Sequence, residues 1–356
     1  MNVWQSGWPL RGLTLCLNRS MENQDLLRCP DCGATAFESD VERLSCRGCG
    51  RSFPLLLGIP DFRDRTRDST ASHAIDDDLA LARLLAAAYA RLSTYNAIHR
   101  LCEDLILRRS AGDLLSEAMV EEMLASGRYP PRPLSEAQLV HGHAILDKVE
   151  QYLADAGEAM PTRGVALEGG AGRGLHIDGF ATSFERLVVL DIALVDLILG
   201  KKLAEERGHT NLLLVCGSVE RLPLRDETID FIHSNNVVEH IADKPAMFSE
   251  ARRVLRTGGL LFVLSPNRFI HQSSWNLRSL ALAEFDVVRV SFIPRRPGSS
   301  LKAPLIGGAA DLLLNKLLLP IMPYHAALCF KRPQRPAAVG QVRKASAPPA
   351  GLAPVR

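Results

Sequence analysis

Residues 165–174 read Val-Ala-Leu-Glu-Gly-Gly-Ala-Gly-Arg-Gly. An apolar run ends in Glu168, and glycines alternate at 170, 172 and 174. A hydrophobic strand that enters such a loop can turn through dihedrals only glycine adopts freely, which lets backbone N–H groups approach a ligand. The carboxylate closing the strand can take a cationic or hydroxyl group. The stretch points to an α/β enzyme that binds a cofactor.

The elements that follow narrow the choice. The dinucleotide fingerprint is G-x-G-x-x-G. Here the third glycine comes one residue early, and Leu175 stands in its place. Arg186 to Leu190 is a second apolar run, closed by Asp191. That spacing suits a carboxylate that binds ribose hydroxyls at the end of a second strand. Leu212 to Val215 reads as a third strand, followed by Cys216-Gly217-Ser218-Val219. Ile229 to His233 reads as a fourth, followed by Ser234-Asn-Asn-Val-Val-Glu-His-Ile241. Glu250-Ala-Arg-Arg-Val-Leu-Arg-Thr-Gly-Gly259 then leads into a fifth, Leu260 to Leu264.

This order resembles the class I S-adenosylmethionine (SAM)-dependent methyltransferases. It is most similar to the subgroup reading "LE-H-I" after strand four and "E-x-x-R-V-L-x-P-G-G" before strand five. The resemblance spans about residues 163–267 and implies a Rossmann-like, seven-stranded α/β sheet. It implies that Glu168 with Gly170, Gly172 and Gly174 holds the methionine end of SAM, and that Asp191 takes the ribose. Ser218 and Val219 would flank the adenine, and Asn235 and Asn236 would line the methyl-transfer side. Two positions depart from the pattern. Ser218 stands where the family usually has Asp, and Thr257 replaces a proline before Gly258-Gly259. Arg252 and Arg253 are expected to pack a helix against the sheet.

Cysteines 29, 32, 46 and 49 form C-x2-C, thirteen residues, C-x2-C. The pairs read Cys-Pro-Asp-Cys-Gly and Cys-Arg-Gly-Cys-Gly. Four thiolates at this spacing suit a structural, tetrahedral zinc with no open position. The rival, two disulfides, sits poorly with a chain that carries no clear secretory signal. The following Pro54-Leu-Leu-Leu-Gly-Ile-Pro60 resembles the end of the zinc-ribbon module fused ahead of bacterial methyltransferase domains. The expected order is a disordered or misassigned leader at 1–20 and a ribbon at 21–62. A helical linker or lid at 63–160, a methyltransferase domain at 161–332 and a disordered basic tail at 333–356 complete it.

Charge bears on partners. The net charge is +2, but six Lys and Arg and no acid lie in 331–356, so the remainder carries −4. Residues 21–70 hold seven basic and nine acidic side chains. A ribbon that binds RNA would show an electropositive footprint, so nucleic acid is disfavoured as a partner. No run of residues reads as a transmembrane span: Ala303 to Phe330 is broken by Asp311, Lys316, Pro320 and Pro323. The expected location is the cytoplasm, with a protein partner through the ribbon as a lesser expectation.

Between ribbon and sheet the periodicity is helical. Leu81, Leu84, Leu85 and Ala88 fall at i, i+3, i+4, i+7, as do Ile98, Leu101, Cys102 and Leu105. Ser135-Glu-Ala-Gln138 is a capping box. It starts a helix whose apolar side holds Ile145, Leu146, Val149, Tyr152 and Leu153. His141 and His143 near its start diverge by about 200° on a helix, which argues against a shared metal. Beyond strand five, Asn267, Arg268, His271, Gln272 and Trp275 suit the wall of a pocket for a small organic acceptor. Ala303 to Leu319 reads as a packing helix, and Asp286 to Ile293 with Tyr324 to Lys331 as a closing hairpin.

Methyl transfer from a sulfonium is an in-line displacement, so alignment and exclusion of water are the main tasks. A base, if the acceptor needs one, is expected among His240, His271 and His233. The leading expectation is a SAM-dependent methyltransferase of a small or medium acceptor, such as a glycan, lipid, quinone or specialised metabolite. The alternatives are an rRNA or tRNA base methyltransferase and a non-catalytic scaffold.

Overall fold

A computed structural model describes residues 24–68, 74–161, 163–266, 284–294 and 323–333. The acceptor-wall residues Asn267 to Trp275, among them His271, lie outside the described residues, as do the 303–319 helix, the 1–20 leader and the 334–356 tail.

Phe37–Ser39 (β1), Arg43–Cys46 (β2), Ser52–Leu56 (β3) and Ile59–Pro60 (β4) pair in order as an antiparallel sheet. Gly33 and Gly50, one after each second cysteine, adopt φ of 77° and 74°. Four helices follow: Ile75–Ala88 (α1), Tyr95–Ser110 (α2), Glu117–Ala125 (α3) and Glu136–Ala154 (α4). The periodic residues of α1 and α2 named above are all buried. α4 starts on Ser135, whose side chain accepts from Gln138 N while the Gln138 side chain returns to the Ser135 N–H. Two orphan amides of the first turn are thereby satisfied.

The alternation from residue 165 onward gives Val165–Gly169 (β5), Ile177–Ser183 (α5), Arg186–Asp191 (β6), Leu194–Glu206 (α6) and Leu212–Cys216 (β7). Ile229–Asn235 (β8), Lys244–Val254 (α7), Leu255–Pro266 (β9), Asp286–Pro294 (β10) and Pro323–Lys331 (β11) follow. The sheet order is β10-β11-β9-β8-β5-β6-β7, parallel from β9 to β7 and closed by antiparallel β11 and β10. The order reverses between β5 and β8, so the crevice beyond their carboxyl ends is the place where such sheets bind ligands. One strand differs from expectation. β9 begins at Leu255 rather than Leu260: Leu255 faces Ile229 and Leu260 faces Phe231, leaving 256–259 as a bulge opposite Asp230. Gly258, at φ 81°, supplies the left-handed turn inside it.

The strands alternate between two packed layers, as a buried sheet requires. Ala166, Leu187, Val189, Phe231 and Phe262 face the helices, including α1, α2, α4, α5 and α6. Val165, Leu167, Val188, Leu190, Val215 and Ile232 face the other side, where α7 and the four-cysteine module lie. No helix lies between β7 and β8, among the described residues. The module's Leu26, Leu27, Leu44, Phe53 and Phe62 fill that layer instead.

The joint is also polar. Phe62 N donates to Cys216 O at 2.8 Å, and Arg28 N to Pro223 O at 3.0 Å. Arg63, with its side chain 1% exposed, pairs with Asp61 at 2.7 Å and with Asp78 of α1 at 2.5 Å, and donates to Ile192 O at 2.9 Å. Asp78 in turn accepts the Leu194 and Val195 amides at the start of α6. Arg63→Ala strands two buried carboxylates, so a loss of about 3–5 kcal/mol is expected. Equilibrium urea unfolding would check it, and a loss below 1 kcal/mol would contradict the pairing. No described helix is long and apolar enough to cross a membrane.

Candidate cofactor site and four-cysteine cluster

A cavity of about 500 Å3 opens at the carboxyl end of the central strands. That volume lies within the range of about 300–1,000 Å3 usual for small-molecule sites. Its wall draws on each strand end in turn: Gly170 to Gly172 after β5, Leu190 to Ala193 at β6, Gly217 to Glu220 after β7, and Asn235 to Val237 with His240 to Ala242 at the end of β8. His176, Arg67 and Asp68 complete it.

The glycine loop is held from beneath. Gly170 N and Ala171 N both donate to Leu190 O, at 2.8 and 3.2 Å. Gly170 has φ of 80°, and a side chain there would collide with Val237. Gly174, at φ 78°, does not line the cavity. A Cβ on it would sit 2.6 Å from Gly200 Cα, so its role is to let the loop close onto α6.

Asp191 is 8% exposed and lies on the cavity wall. Its Oδ2 accepts Gly172 N at 2.7 Å and its Oδ1 accepts Ala193 N at 2.8 Å. One carboxylate therefore ties the β5 loop to the β6 loop.

Glu168 stands behind the cavity rather than on its wall. It is 1% exposed, with Oε2 2.6 Å from His233 Nδ1 and Oε1 3.2 Å from His176 Nδ1. Burial alone would raise its pKa, but His233 and His176 outweigh that and bring it down to about 2. His176, two residues past the last glycine, is what Glu168 presents to the cavity. His233 is fully buried, against Phe180 and Phe262 with ring centroids at 5.0 and 5.8 Å. It cannot reach an acceptor, which corrects its place among the candidate bases.

The remaining expected residues fall in two groups. Ser218, Val219, Asn235, Asn236 and His240 all line the cavity. Asn236 takes the left-handed conformation, φ 55°, and His240 ends a 3-10 turn over Val238–His240. Outside the cavity, His143 pairs with Asp178 at 3.0 Å and joins α4 to α5. The helical layer rests on α6: Tyr89 Oη donates to Glu205 at 2.8 Å and Tyr95 N to Glu206 at 2.7 Å. Arg253 donates to Leu222 O and Leu224 O and pairs with Glu250, securing α7 to the β7–β8 connection.

Near the cavity, burial pushes the Asp196 carboxyl up to about 7, with Asp191 adding to the shift. An acid whose folded pKa is raised lowers stability as pH rises from about 4 to about 7, because the unfolded chain ionises first. Asp196→Asn is expected to raise the melting temperature by a few degrees at pH 8 and to change it little at pH 4. Scanning calorimetry at both values would test this; equal shifts would contradict it.

The four cysteine sulfurs lie within 4.8 Å of one another. Cys29 and Cys49 are 3.8 Å apart, and Cys32 and Cys46 3.5 Å. Zn–S bonds of about 2.3 Å place tetrahedral sulfurs about 3.8 Å apart, whereas a disulfide requires about 2.05 Å. Gly48 N donates to Cys46 Sγ at 3.3 Å, the amide support a thiolate needs. The cluster is compatible with a tetrahedral metal.

Comparison with known proteins agrees with this geometry. Residues 167–263 match the family model described as "Methyltransferase domain". Over 129 residues the chain is 30% identical to a ubiquinone biosynthesis O-methyltransferase of Bradyrhizobium sp., covering 36% of this chain and 48% of that one. Over 162 residues it is 31% identical to a malonyl-[acyl-carrier protein] O-methyltransferase of Xylella fastidiosa, covering 44% and 51%. The chain thus spans about half the length of these relatives. Among solved structures, the N-methyltransferase NodS of Bradyrhizobium japonicum, in complex with S-adenosylhomocysteine, superposes with a TM-score of 0.39 at 14% identity, over 54% of this chain and 88% of that one. Residues 167–263 are thus similar to a methyltransferase domain.

Proposed function

We infer that this chain transfers the methyl group of SAM to a small or medium organic acceptor. The observation that carries the reading is the single cavity wall that joins the glycine loop, Asp191 and the residues after β7 and β8, inside the segment matching a methyltransferase domain. The two relatives above, named for a ubiquinone-pathway O-methylation and an acyl-carrier-protein O-methylation, support a non-nucleic-acid acceptor.

SAM supplies an electrophilic methyl on a sulfonium. The protein's residues bind and orient it. Asp191 would hold the ribose hydroxyls, and Val219 would flank the adenine. His176, steered by Glu168, and the amides of Gly170 to Gly172 hold the methionine end. Asn235 and Asn236 would line the methyl-transfer side, and His240, on the same wall, would receive an acceptor proton. The displacement then needs alignment more than acid–base power. Cys29, Cys32, Cys46 and Cys49 hold a structural zinc.

The test is calorimetric titration of SAM into zinc-loaded protein, followed by transfer of labelled methyl into fractionated cell extract. Micromolar binding with label in the small-molecule or lipid fraction supports the reading. Label in RNA, with salt-sensitive RNA binding, would replace it with a base methyltransferase. Failure to bind SAM at millimolar concentration would leave a scaffold.

A further inference from the structure

The adenine ring of SAM carries an exocyclic amine, a donor of two hydrogen bonds. The β7 side of the cavity must therefore offer an acceptor. Three side chains with acceptor oxygens are candidates there: Ser218, Glu220 and Asp68. The first two are engaged with each other and with backbone. Ser218 Oγ accepts Glu220 N at 3.1 Å and lies 3.3 Å from Glu220 Oε2. Glu220 Oε1 accepts Asp243 N at 2.5 Å.

Asp68 differs. It is 6% exposed yet lines the cavity. Its Oδ2 accepts Asp64 N at 2.6 Å and faces Arg221 at 3.6 Å. Its Oδ1 takes no hydrogen bond from any described residue. A nearly buried carboxylate with one oxygen not engaged by described donors is a strong acceptor on the wall of a cavity.

The geometry points to Asp68 as the residue that recognises the adenine amine, in place of the acid that position 218 lacks. This rests on the SAM reading above. Asp68 does not belong to the matched domain, which begins at residue 167. It follows the four-cysteine module and is carried to the cavity by the backbone joint between that module and β7. Asp61 bridges Cys216, Phe62 N donates to Cys216 O, and Arg221 Nη2 donates to Phe62 O at 3.4 Å. The segment 61–68 is thus a strap, fixed at β7, that completes the nucleoside pocket from outside the domain. Cofactor selectivity in this chain is a property of the module and the domain together.

The test compares S-adenosylhomocysteine with S-inosylhomocysteine, in which a carbonyl oxygen replaces the amine. Both are titrated calorimetrically into the full-length, zinc-loaded protein. The wild type is expected to prefer the adenosyl compound by roughly ten- to a hundredfold, the range for one hydrogen bond to a charged group. Asp68→Asn, whose amide can serve either ligand, is expected to erase that preference while binding the inosyl compound at least as well as the wild type does. That second arm reports an intact pocket. Adding Ser218→Asp to Asp68→Asn is expected to restore the preference. Retention of the preference by Asp68→Asn, or its loss in Ser218→Ala alone, overturns the assignment to Asp68. Failure of the wild type to bind either compound overturns the SAM reading itself.

Discussion

Cys46→Ser is expected to abolish SAM binding although Cys46 touches no part of the cofactor cavity. One thiolate lost leaves three sulfurs for a tetrahedral ion. Structural zinc in small modules supplies about 10–16 kcal/mol of apparent folding free energy. A module of this size cannot replace that from its own core. The consequence spreads because the module is a layer of the seven-stranded sheet. Leu26, Leu27, Leu44, Phe53 and Phe62 occupy the face where the β7–β8 connection has no helix. Each such side chain contributes about 1.5–3 kcal/mol when fully buried. Losing that layer exposes Val188, Leu190 and Val215 beneath it and releases the strap that carries Asp68. The measurements are zinc content by mass spectrometry, melting temperature and SAM titration on the same preparation. A variant that loses zinc but binds SAM with wild-type affinity would refute this coupling.

Asp191→Ala is expected to weaken SAM at least about a hundredfold, equivalent to about 2.8 kcal/mol. The carboxylate acts twice. It accepts the Gly172 and Ala193 amides, which fixes the mutual position of two loops before any ligand arrives. In the SAM reading it also accepts the ribose hydroxyls. Hydrogen bonds to a charged group are worth about 1.5–3 kcal/mol each. The change also leaves two amides without their acceptor. Asp191→Asn, which keeps one carbonyl oxygen, should fall between wild type and alanine. Wild-type affinity in Asp191→Ala would remove this residue from the site. Circular dichroism would separate a lost contact from a lost fold.

The part of the cavity wall built from the glycine loop and Asp191 was legible because it is local. The glycines at 170, 172 and 174 and the carboxylate of Asp191 each sit at the end of a buried strand. An apolar run followed by a glycine or acid reports such an end without reference to anything distant. The same holds for the four cysteines, whose two knuckles are each contained in five residues. Gly174 shows the limit of this. Sequence marks it as a loop glycine, but only the approach of Gly200 explains why it must be one. Glu168 shows another. Its position at the strand end was plain, but whether it faces the cavity or the core depends on the two histidines that reached it. His233 comes from β8, 65 residues away, and its burial removes it from the candidate bases.

Sequence by itself determined the parallel α/β core, the glycine loop, Asp191, the capped α4 helix and the four-sulfur cluster. Periodicity, glycine conformation and ligand spacing act within a few residues, so each leaves a local mark. Only the tertiary structure decided that the cysteine module fills the layer where the β7–β8 connection has no helix, that Arg63 locks it to α1 and α6, and that Asp68 reaches the cavity. These depend on which surfaces pack together. The packing brings Asp68 to the wall beside Gly217 to Glu220, about 150 residues further along the chain, and no local pattern encodes a contact made across that distance.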